Sequence, residues 1–357
     1  MRGRWKVLLL CALMLPLAGC ETPGILPYAR ELADMAPIRT MGVDAADDGA
    51  VTVTVSSGVQ GGQGEEPVVL SGTAGTISGA CLDMQGQGTS YIYYGHVGQF
   101  LLGEDLARRG VGPALDYVLR DVEMRLGTQL YLVKEGDARS VMEEAVASGG
   151  SAADRLEAME DDAGLLSDTM PVAIGDVLER LSRSGSAFVP AVRQGEEGLR
   201  AAGYGILKDG LLEAWAEGEE AEGVNLAMGR VDADVLELEG AALRVVGAST
   251  TVSPVFQGDT LTGLTVLCRV DANLAEAPPD ADVDALCRAL EEAEGARVRA
   301  ALDLSQALDA DFLELKRRAC LALPWRKAAI EEQWDLPALT LEVKMDGRIL
   351  RSYDAGV

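Results

Sequence analysis

Residues 94–133, YGHVGQFLLGEDLARRGVGPALDYVLRDVEMRLGTQLYLV, contain the closest succession of secondary-structure signals in the chain. Apolar runs of strand length lie at 96–102 and 126–133. Between them, residues 103–105 (Gly-Glu-Asp) place two acids where the positive end of a helix would lie, and residues 112–113 (Gly-Pro) begin a second helix. The stretch therefore predicts a strand, two helices and a strand.

The composition is that of a folded and strongly acidic protein. With 357 residues the chain is long enough for two or three domains, each with its own core. Hydrophobic residues at 48% and charged residues at 25% are typical of globular proteins. The formal net charge of -26 argues against nucleic acid or an anionic lipid surface as the main partner, because both would repel the chain.

The N-terminal segment is similar to the export signal of a bacterial lipoprotein. Basic residues at the start precede an apolar run at 7–15, which is too short to span a bilayer. Residues 17–20 read Leu-Ala-Gly-Cys, the order of a lipobox, in which the cysteine is lipid-modified and becomes the mature N-terminus. We therefore expect a signal peptide at 1–19, lipidation at Cys20 and a short linker at 20–27.

The central stretch resembles the spore germination receptor C subunit, the Ger(x)C family of lipoproteins. Members have a Gly-His pair at a strand start, Gly-Glu-Glu-Leu-Ala at a helix start and Arg-Asp-x-x-x-Arg at a turn. The matching residues here, in family order and spacing with one Asp for Glu, are Gly95, His96, Gly103, Glu104, Asp105, Arg120, Asp121 and Arg125. We expect these motif residues to have structural or docking roles, with the last three pinning the corner between helix and strand through ion pairs.

The resemblance extends over nearly the whole mature chain. Residues 30–32 (Arg-Glu-Leu) and 42–44 (Gly-Val-Asp) match the start of the family. Residues 208–217, a Lys-Asp-Gly hairpin followed by Glu, match its C-terminal half, and Asp-Phe, Trp and Trp-Asp within 311–335 match its end. One departure is Glu-Thr at 21–22, where the family commonly has Trp-Asp, so whatever that pair contributes near the membrane is not expected here.

We expect an α+β fold of mixed β-sheets with packed helices. The N-terminal Ger(x)C-like domain would comprise residues 28–193 and the C-terminal one residues 199–354, because residues 194–198 form a polar, glycine-containing boundary. A division of the second half near 240–255 would give three structural domains.

Two further expectations concern the last part of the chain. An apolar stripe of Leu308, Phe312, Leu315 and Ala319 predicts one helix. The tryptophans that follow, at 325 and 334, are expected to pack the last helix on a sheet.

The sequence contains none of the common catalytic or metal-binding motifs. His96 is the only histidine, and there is no GxSxG, HExxH, GxxxxGKS or GxGxxG. A lone histidine beside a glycine at a strand start is typical of a structural hydrogen-bonding residue. We therefore expect no enzymatic activity, no cofactor and no metal.

Four cysteines follow Cys20, and their number leaves two interpretations open. An even number in an exported chain permits disulfides, whereas their position on apolar patterns favours free thiols in the core. We favour free thiols because a chain of this size can fold around its apolar core without disulfide bonds. The residues are Cys81, Cys268, Cys287 and Cys320.

The resemblance implies the C subunit of a nutrient germinant receptor, anchored by lipid on the outer face of the inner spore membrane. In that family it works with two polytopic membrane subunits, A and B, and its own role in germination would be binding and assembly. Two other classes remain as alternatives. A solute-binding lipoprotein of a transporter would need a deep cleft between domains, and an exported hydrolase would need an acid-base pair around His96 or paired acids.

Overall fold

The computed structural model describes residues 35–57, 68–87, 90–166, 169–196, 198–231, 234–238, 240–278 and 280–351. The expected signal peptide, Cys20, the linker and the glycine-rich loop at 58–67 lie outside the described residues.

Fourteen β-strands and ten α-helices lie in these ranges. The strands are β1 Met35–Pro37, β2 Thr40–Ala45, β3 Val51–Ser56, β4 Val69–Ala74, β5 Tyr91–Tyr93, β6 Gln99–Gly103, β7 Gln129–Val133, β8 Ser186–Gly195, β9 Gly198–Lys208, β10 Leu211–Ala216, β11 Asp234–Leu238, β12 Ala241–Gln257, β13 Thr260–Glu276 and β14 Thr340–Arg351. The helices are α1 Ile77–Gln87, α2 Glu104–Arg109, α3 Gly112–Arg120, α4 Ala138–Ala147, α5 Ala152–Leu166, α6 Ile174–Ser184, α7 Glu219–Met228, α8 Val283–Ala307, α9 Leu315–Ala322 and α10 Lys327–Glu332.

The larger of the main sheets has eight strands in the order β10-β9-β8-β7-β6-β2-β3-β4. Its centre is parallel, since β2 pairs with β6, β6 with β7 and β7 with β8 in that sense. Antiparallel hairpins extend it on both sides. The carboxyl ends of β2, β6 and β7 therefore lie at the same edge, where α2 and α4 begin. This mixed sheet with packed helices confirms the expected α+β class.

Both faces of the large sheet are covered, which explains the continuous apolar runs of its central strands. Leu101 and Tyr131 pack on one face with residues of α4 and α5. Phe100, Leu102 and Leu130 point to the other face and belong to the main core, together with residues of α1, α3 and α6. Because successive strand residues alternate between faces, the run of consecutive apolar residues that follows the first position of β6 and of β7 fills both layers.

The second main sheet has the order β11-β12-β13-β14. The hairpin of β12 and β13 forms its centre, and β14 joins β13 in parallel. Leu264, Val266, Cys268 and Val270 are all buried, as the alternation along β13 predicts. The long helix α8 packs on this sheet and against α7. At its start, Asp282 accepts hydrogen bonds from the backbone N–H groups of residues 284 and 285.

The two sequence halves and the two main sheets do not coincide. Gly195 and Gly198, within the segment expected as a domain boundary, are register partners in the hairpin formed by β8 and β9. The following strand pair, β9 and β10, completes the large sheet, so this sheet takes strands from both halves. Residues 240–255, expected as a further division, lie mostly within β12.

Three local expectations differ from the structure. The strand expected from residue 96 begins at Gln99, because residues 94–96 form a 3-10 turn. The helix expected from Leu308 begins only at Leu315, since Asp309 and Glu314 have φ of 46° and 56°, which interrupts a right-handed helix.

Trp325 is 78% exposed and therefore does not pack a helix on a sheet, whereas the other tryptophan of the pair lies against the core.

Within the ranges that the structure describes, no helix is both long enough and apolar enough to cross a membrane.

Candidate docking site

The corner between α3 and β7, residues 119–126, contains the Arg-Asp-x-x-x-Arg motif. Asp121 stands at the end of α3, and its backbone N–H donates to the carbonyl oxygen of Tyr117 at 2.9 Å. Its carboxylate Oδ1 accepts the backbone N–H groups of Glu123 at 2.9 Å and Met124 at 3.2 Å. An aspartate that bonds the backbone two and three residues ahead closes a tight turn. Asp121 therefore fixes the direction in which the chain leaves the helix.

Hydrogen bonds join the corner to the segment that precedes β6. Arg125 donates from Nη2 to the carbonyl oxygen of Gly95. The Glu123 carboxylate accepts from the hydroxyl of Tyr91 and from the backbone N–H of Tyr94, both at 2.9 Å. The buried hydroxyl of Thr128 donates to the carbonyl oxygen of residue 97 at 3.0 Å. The corner and residues 91–97 thus form one connected unit.

The Gly-His motif occupies the tight turn of this unit. A Cβ at Gly95 would lie 2.3 Å from the phenolic oxygen of Tyr93, so a side chain here would collide with the ring. His96 is exposed, and its ring packs edge to face on Tyr93 with centroids 5.5 Å apart. Ring packing is therefore the role that its surroundings support, in place of the expected structural hydrogen bond.

The ion pairs expected among the three charged residues of the motif are not formed in the structure. Arg120 instead pairs with Asp116, one turn earlier on α3, at 2.8 Å. Asp121 and Arg125 both bond backbone groups, because their side chains point into the turn rather than towards each other. Hydrogen bonding to the main chain, and not charge pairing, holds the corner.

Three apolar side chains of the corner face solvent. Val122 is 98% exposed, Leu119 53% and Leu126 48%. Covering one such side chain contributes about 1.5–3 kcal/mol, which the isolated chain does not gain. Three exposed apolar groups therefore lie within eight residues, beside a turn that is held by hydrogen bonds.

The remaining motif residues lie at the carboxyl ends of β2 and β6. A Cβ at Gly103 would lie 2.2 Å from Oδ1 of Asp44, so the glycine leaves the space that this carboxylate occupies. Asp44 accepts the backbone N–H groups of Ala138 at 2.8 Å and Arg139 at 3.0 Å, at the start of α4. Burial raises the pKa of Asp44 to about 6, against the lowering effect of these two hydrogen bonds.

Glu104 joins the next pair of elements. One carboxylate oxygen accepts the backbone N–H of Glu135 and the other accepts Nε of Arg108, both at 2.8 Å. Burial raises the pKa of Glu104, but the hydrogen bonds outweigh it and the pKa lies below its ordinary value. Asp137 similarly accepts the N–H of Ser140 at 2.7 Å and caps α4. These acids connect strand ends to helix starts.

No group of three or more His, Cys, Asp or Glu side chains is placed to hold a metal ion in the part of the chain that the structure describes. The four cysteines that follow the lipobox are free thiols, with Cys268 fully buried in β13. Burial raises the pKa of this thiol.

The sequence predicts Gly103 and Glu104 at the start of a helix, where they lie, but it predicts Gly95 and His96 at a strand start, whereas they form a turn before the strand. The hydrogen-bond partners of the motif residues are not predicted. Glu123 was one acid among 57, and no local pattern distinguishes it. The exposed Val122 was also missed, although a valine between charged residues on a turn could have indicated it.

Two family models match the chain. Residues 28–194 match the spore germination protein N-terminal domain, and residues 202–353 match the spore germination B3/GerAC-like C-terminal domain. A crystal structure of the GerBC protein has a similar fold, with a TM-score of 0.58 and 18% identity over 87% of this chain and 97% of that one. A comparison with curated protein sequences gives no match. Because germination models match both halves in order, the chain belongs to the Ger(x)C family of spore germination receptor C subunits.

Proposed function

We propose that this chain is the lipid-anchored C subunit of a nutrient germinant receptor and that it acts by assembly with the membrane subunits A and B. The observation that carries the proposal is the match of germination domains to both halves, at 28–194 and 202–353. The protein would perform no covalent chemistry of its own. Its site would be the inner spore membrane, on the extracytoplasmic face.

Membrane attachment would depend on the lipobox cysteine. In the Cys20→Ala variant we expect the chain to leave the membrane fraction, because the acyl chains on Cys20 would be its attachment to lipid. Each buried methylene of an acyl chain contributes about 0.8 kcal/mol to membrane binding. Cys11→Ala is the matched control, since it removes a thiol from the apolar part of the signal and leaves the lipobox unchanged. Recovery of the Cys20→Ala variant in the membrane pellet would refute the anchor.

Assembly would use the corner at residues 119–126. Its exposed apolar side chains are held on a turn whose hydrogen bonds are already made in the free chain, so little ordering would be needed on binding. A charged residue at the centre of such a surface would be desolvated without a partner, which opposes association. The A and B subunits would then contact Val122 and the leucines on either side of it.

Co-purification of tagged A and B subunits from spore membranes tests this surface. Val122→Asp should lower the amount of this chain recovered with A and B and slow germination, while its unfolding midpoint stays unchanged. Val235→Asp is the control, because Val235 is 50% exposed on β11 in the other main sheet. Equal recovery of the two variants would exclude the corner as the docking site. Normal germination of spores lacking the chain, with no paralogue present, would refute the receptor function itself.

A further inference from the structure

A cleft of about 840 Å³ opens beside the hairpin of β8 and β9. Arginine side chains from three elements line it: Arg155 on α5, Arg193 on β8 and Arg200 on β9. The start of α7 forms another wall at Gly218. A concave site of this volume is within the range of small-molecule sites, about 300–1,000 Å³.

Two of these arginines face each other directly across the hairpin. Arg193 and Arg200 are register partners in the antiparallel pair of β8 and β9. Like charges in directly opposite positions destabilise a strand pair. None of the three arginines forms an ion pair with another residue that the structure describes. The repulsion between the facing pair is therefore not offset within the described part of the chain.

Other arginines of the chain do have carboxylate partners. Arg39, for comparison, contacts both Asp154 and Glu157. Two glutamates among the described residues also line the cleft. Glu217 pairs with Lys134, and Glu222 pairs at 2.7 Å with Arg297, which further acids share. Among the described residues, the cleft thus combines three arginines that form no ion pair with two acids whose cationic partners lie outside the cleft lining.

The guanidinium groups of two exposed arginines lie against the hairpin. Nε of Arg155 donates to the carbonyl oxygen of Leu199 at 2.9 Å, which leaves its terminal nitrogens available. Arg200 lies against Gly195, where a Cβ would come within 2.3 Å of its Nε. The glycine therefore makes room for the side chain of Arg200. Guanidinium forks match the oxygen pairs of carboxylate and phosphate groups.

We propose that this cleft binds a small organic anion through a carboxylate or phosphate group held by Arg193 and Arg200, with Arg155 as a third contact. The bound anion would offset the repulsion between the facing arginines. This inference does not depend on the docking corner, which lies on different elements.

Isothermal titration and thermal unfolding of the full chain in detergent test the proposal, at constant ionic strength set with sodium chloride. The probes are citrate and succinate for the carboxylate arm, inorganic phosphate and glycerol phosphate for the phosphate arm, and glycerol as the neutral control. We expect saturable binding and a rise in Tm with at least one anion and none with glycerol. The arm that binds identifies the group. No saturable binding by any of the four anions would overturn the proposal.

Arginine variants distinguish specific binding of the anion in this cleft from general attraction between the anion and positively charged side chains. Arg193→Ala and Arg200→Ala should each weaken binding about tenfold or more, because each removes a charge-assisted pair. Both should also raise the Tm of the anion-free chain, since they remove the repulsion across the hairpin, an effect that a merely structural arginine would not give. Arg200→Lys keeps the charge without the fork and should bind with intermediate affinity.

Arg120→Ala, on the exposed face of α3, is the matched control and should leave the affinity for the anion unchanged. Binding that Arg193→Ala and Arg200→Ala leave unchanged would assign the anion to another place and refute this site.

Discussion

The guanidinium group of Arg125 donates a hydrogen bond to the carbonyl oxygen of Gly95, a residue 30 positions earlier in the chain. This contact unites two short motifs that the sequence separates by two helices and a strand. The Gly-His turn and the Arg-Asp-x-x-x-Arg corner are therefore parts of one structural unit, and the spacing between them is set by the strand β6 and the helices α2 and α3.

Arg125→Ala should weaken this unit. A hydrogen bond from a charged group contributes about 1.5–3 kcal/mol, and we expect about 1 kcal/mol here because the side chain is partly exposed. Urea unfolding should register the loss as a lower midpoint. Arg120→Ala serves as the control, since its ion pair with Asp116 is exposed and solvent screens it, so its loss should lower the midpoint less. Equal midpoints for the two variants would mean that the Gly95 contact adds no stability.

Gly103→Ala should be much more disruptive than its size suggests. The new Cβ would lie 2.2 Å from Oδ1 of Asp44, which cannot move freely because two backbone N–H groups at the start of α4 hold it. Displacing it would leave those donors unsatisfied at a cost of about 1–3 kcal/mol. Gly112→Ala, where nothing lies within 4 Å of the new Cβ, should leave the free energy of unfolding unchanged or slightly higher. Equal stability of both variants in urea would contradict this account.

Local signals in the sequence were sufficient for most helices, strands and turns. The Asp-Gly pair at 209–210 has φ of 50° and 80°, the conformation of a two-residue hairpin turn, and it joins β9 and β10 as predicted. The alternation along β13 identified its buried face because that pattern is local.

Strand partners and site contacts could not be predicted in the same way. The polar, glycine-containing segment at 194–198 predicts a boundary between sequence halves, but its composition is the same in linkers and in hairpin turns, so it does not predict the pairing of β8 with β9. The same pairing places Arg193 opposite Arg200, a relationship that depends on register. Asp44 bonds α4 across more than ninety residues, so no pattern within one segment could indicate it.

A glycine at the contact between α7 and α8 and a glycine in α1 should respond in opposite ways to substitution by alanine. The first change should lower the free energy of unfolding and the second should raise it. A Cβ at Gly223 would lie 2.0 Å from the carbonyl oxygen of Arg297, so Gly223→Ala must push the two helices apart. We expect a loss of about 1–3 kcal/mol, as for other overpacked cores. Gly86→Ala in α1 meets nothing within 4 Å and should gain about 0.5–1 kcal/mol from helix propensity. Urea denaturation of both variants checks the two signs, and a stable Gly223→Ala protein would show that the helices can separate without cost.

A buried cluster on α8 should make stability depend on pH. Glu294 is 1% exposed, and Arg297 contacts it at 3.1 Å while also pairing with Asp234 and Glu222. Burial raises the pKa of Glu294 from 4.5 to about 7, and the neighbouring carboxylates of Asp234 and Glu222 oppose its ionisation further, while Arg297 favours it. The folded chain therefore holds a proton on this group over a range in which the unfolded chain has released it.

The sign of the effect follows from that proton. Between about pH 4.5 and 7 the folded state binds more protons at Glu294 than the unfolded state, so the free energy of unfolding falls as the pH rises through this range. Glu294→Gln removes the titrating group and keeps an oxygen that can accept from Arg297. The variant should equal the natural chain near pH 4.5 and exceed it by about 1–3 kcal/mol near pH 8, where the cost of the buried charge is complete.

Urea unfolding of both proteins at pH 5 and pH 8 measures this difference. Asp44 and Asp311 have pKa values raised to about 6 and add a slope of the same sign, but they are present in both proteins and cancel in the comparison. Glu332→Gln on the exposed end of α10 is the control and should show no such change between the two pH values. A stability difference between Glu294→Gln and the natural chain that is the same at both pH values would mean that Glu294 is ionised throughout, with Arg297 compensating for its burial.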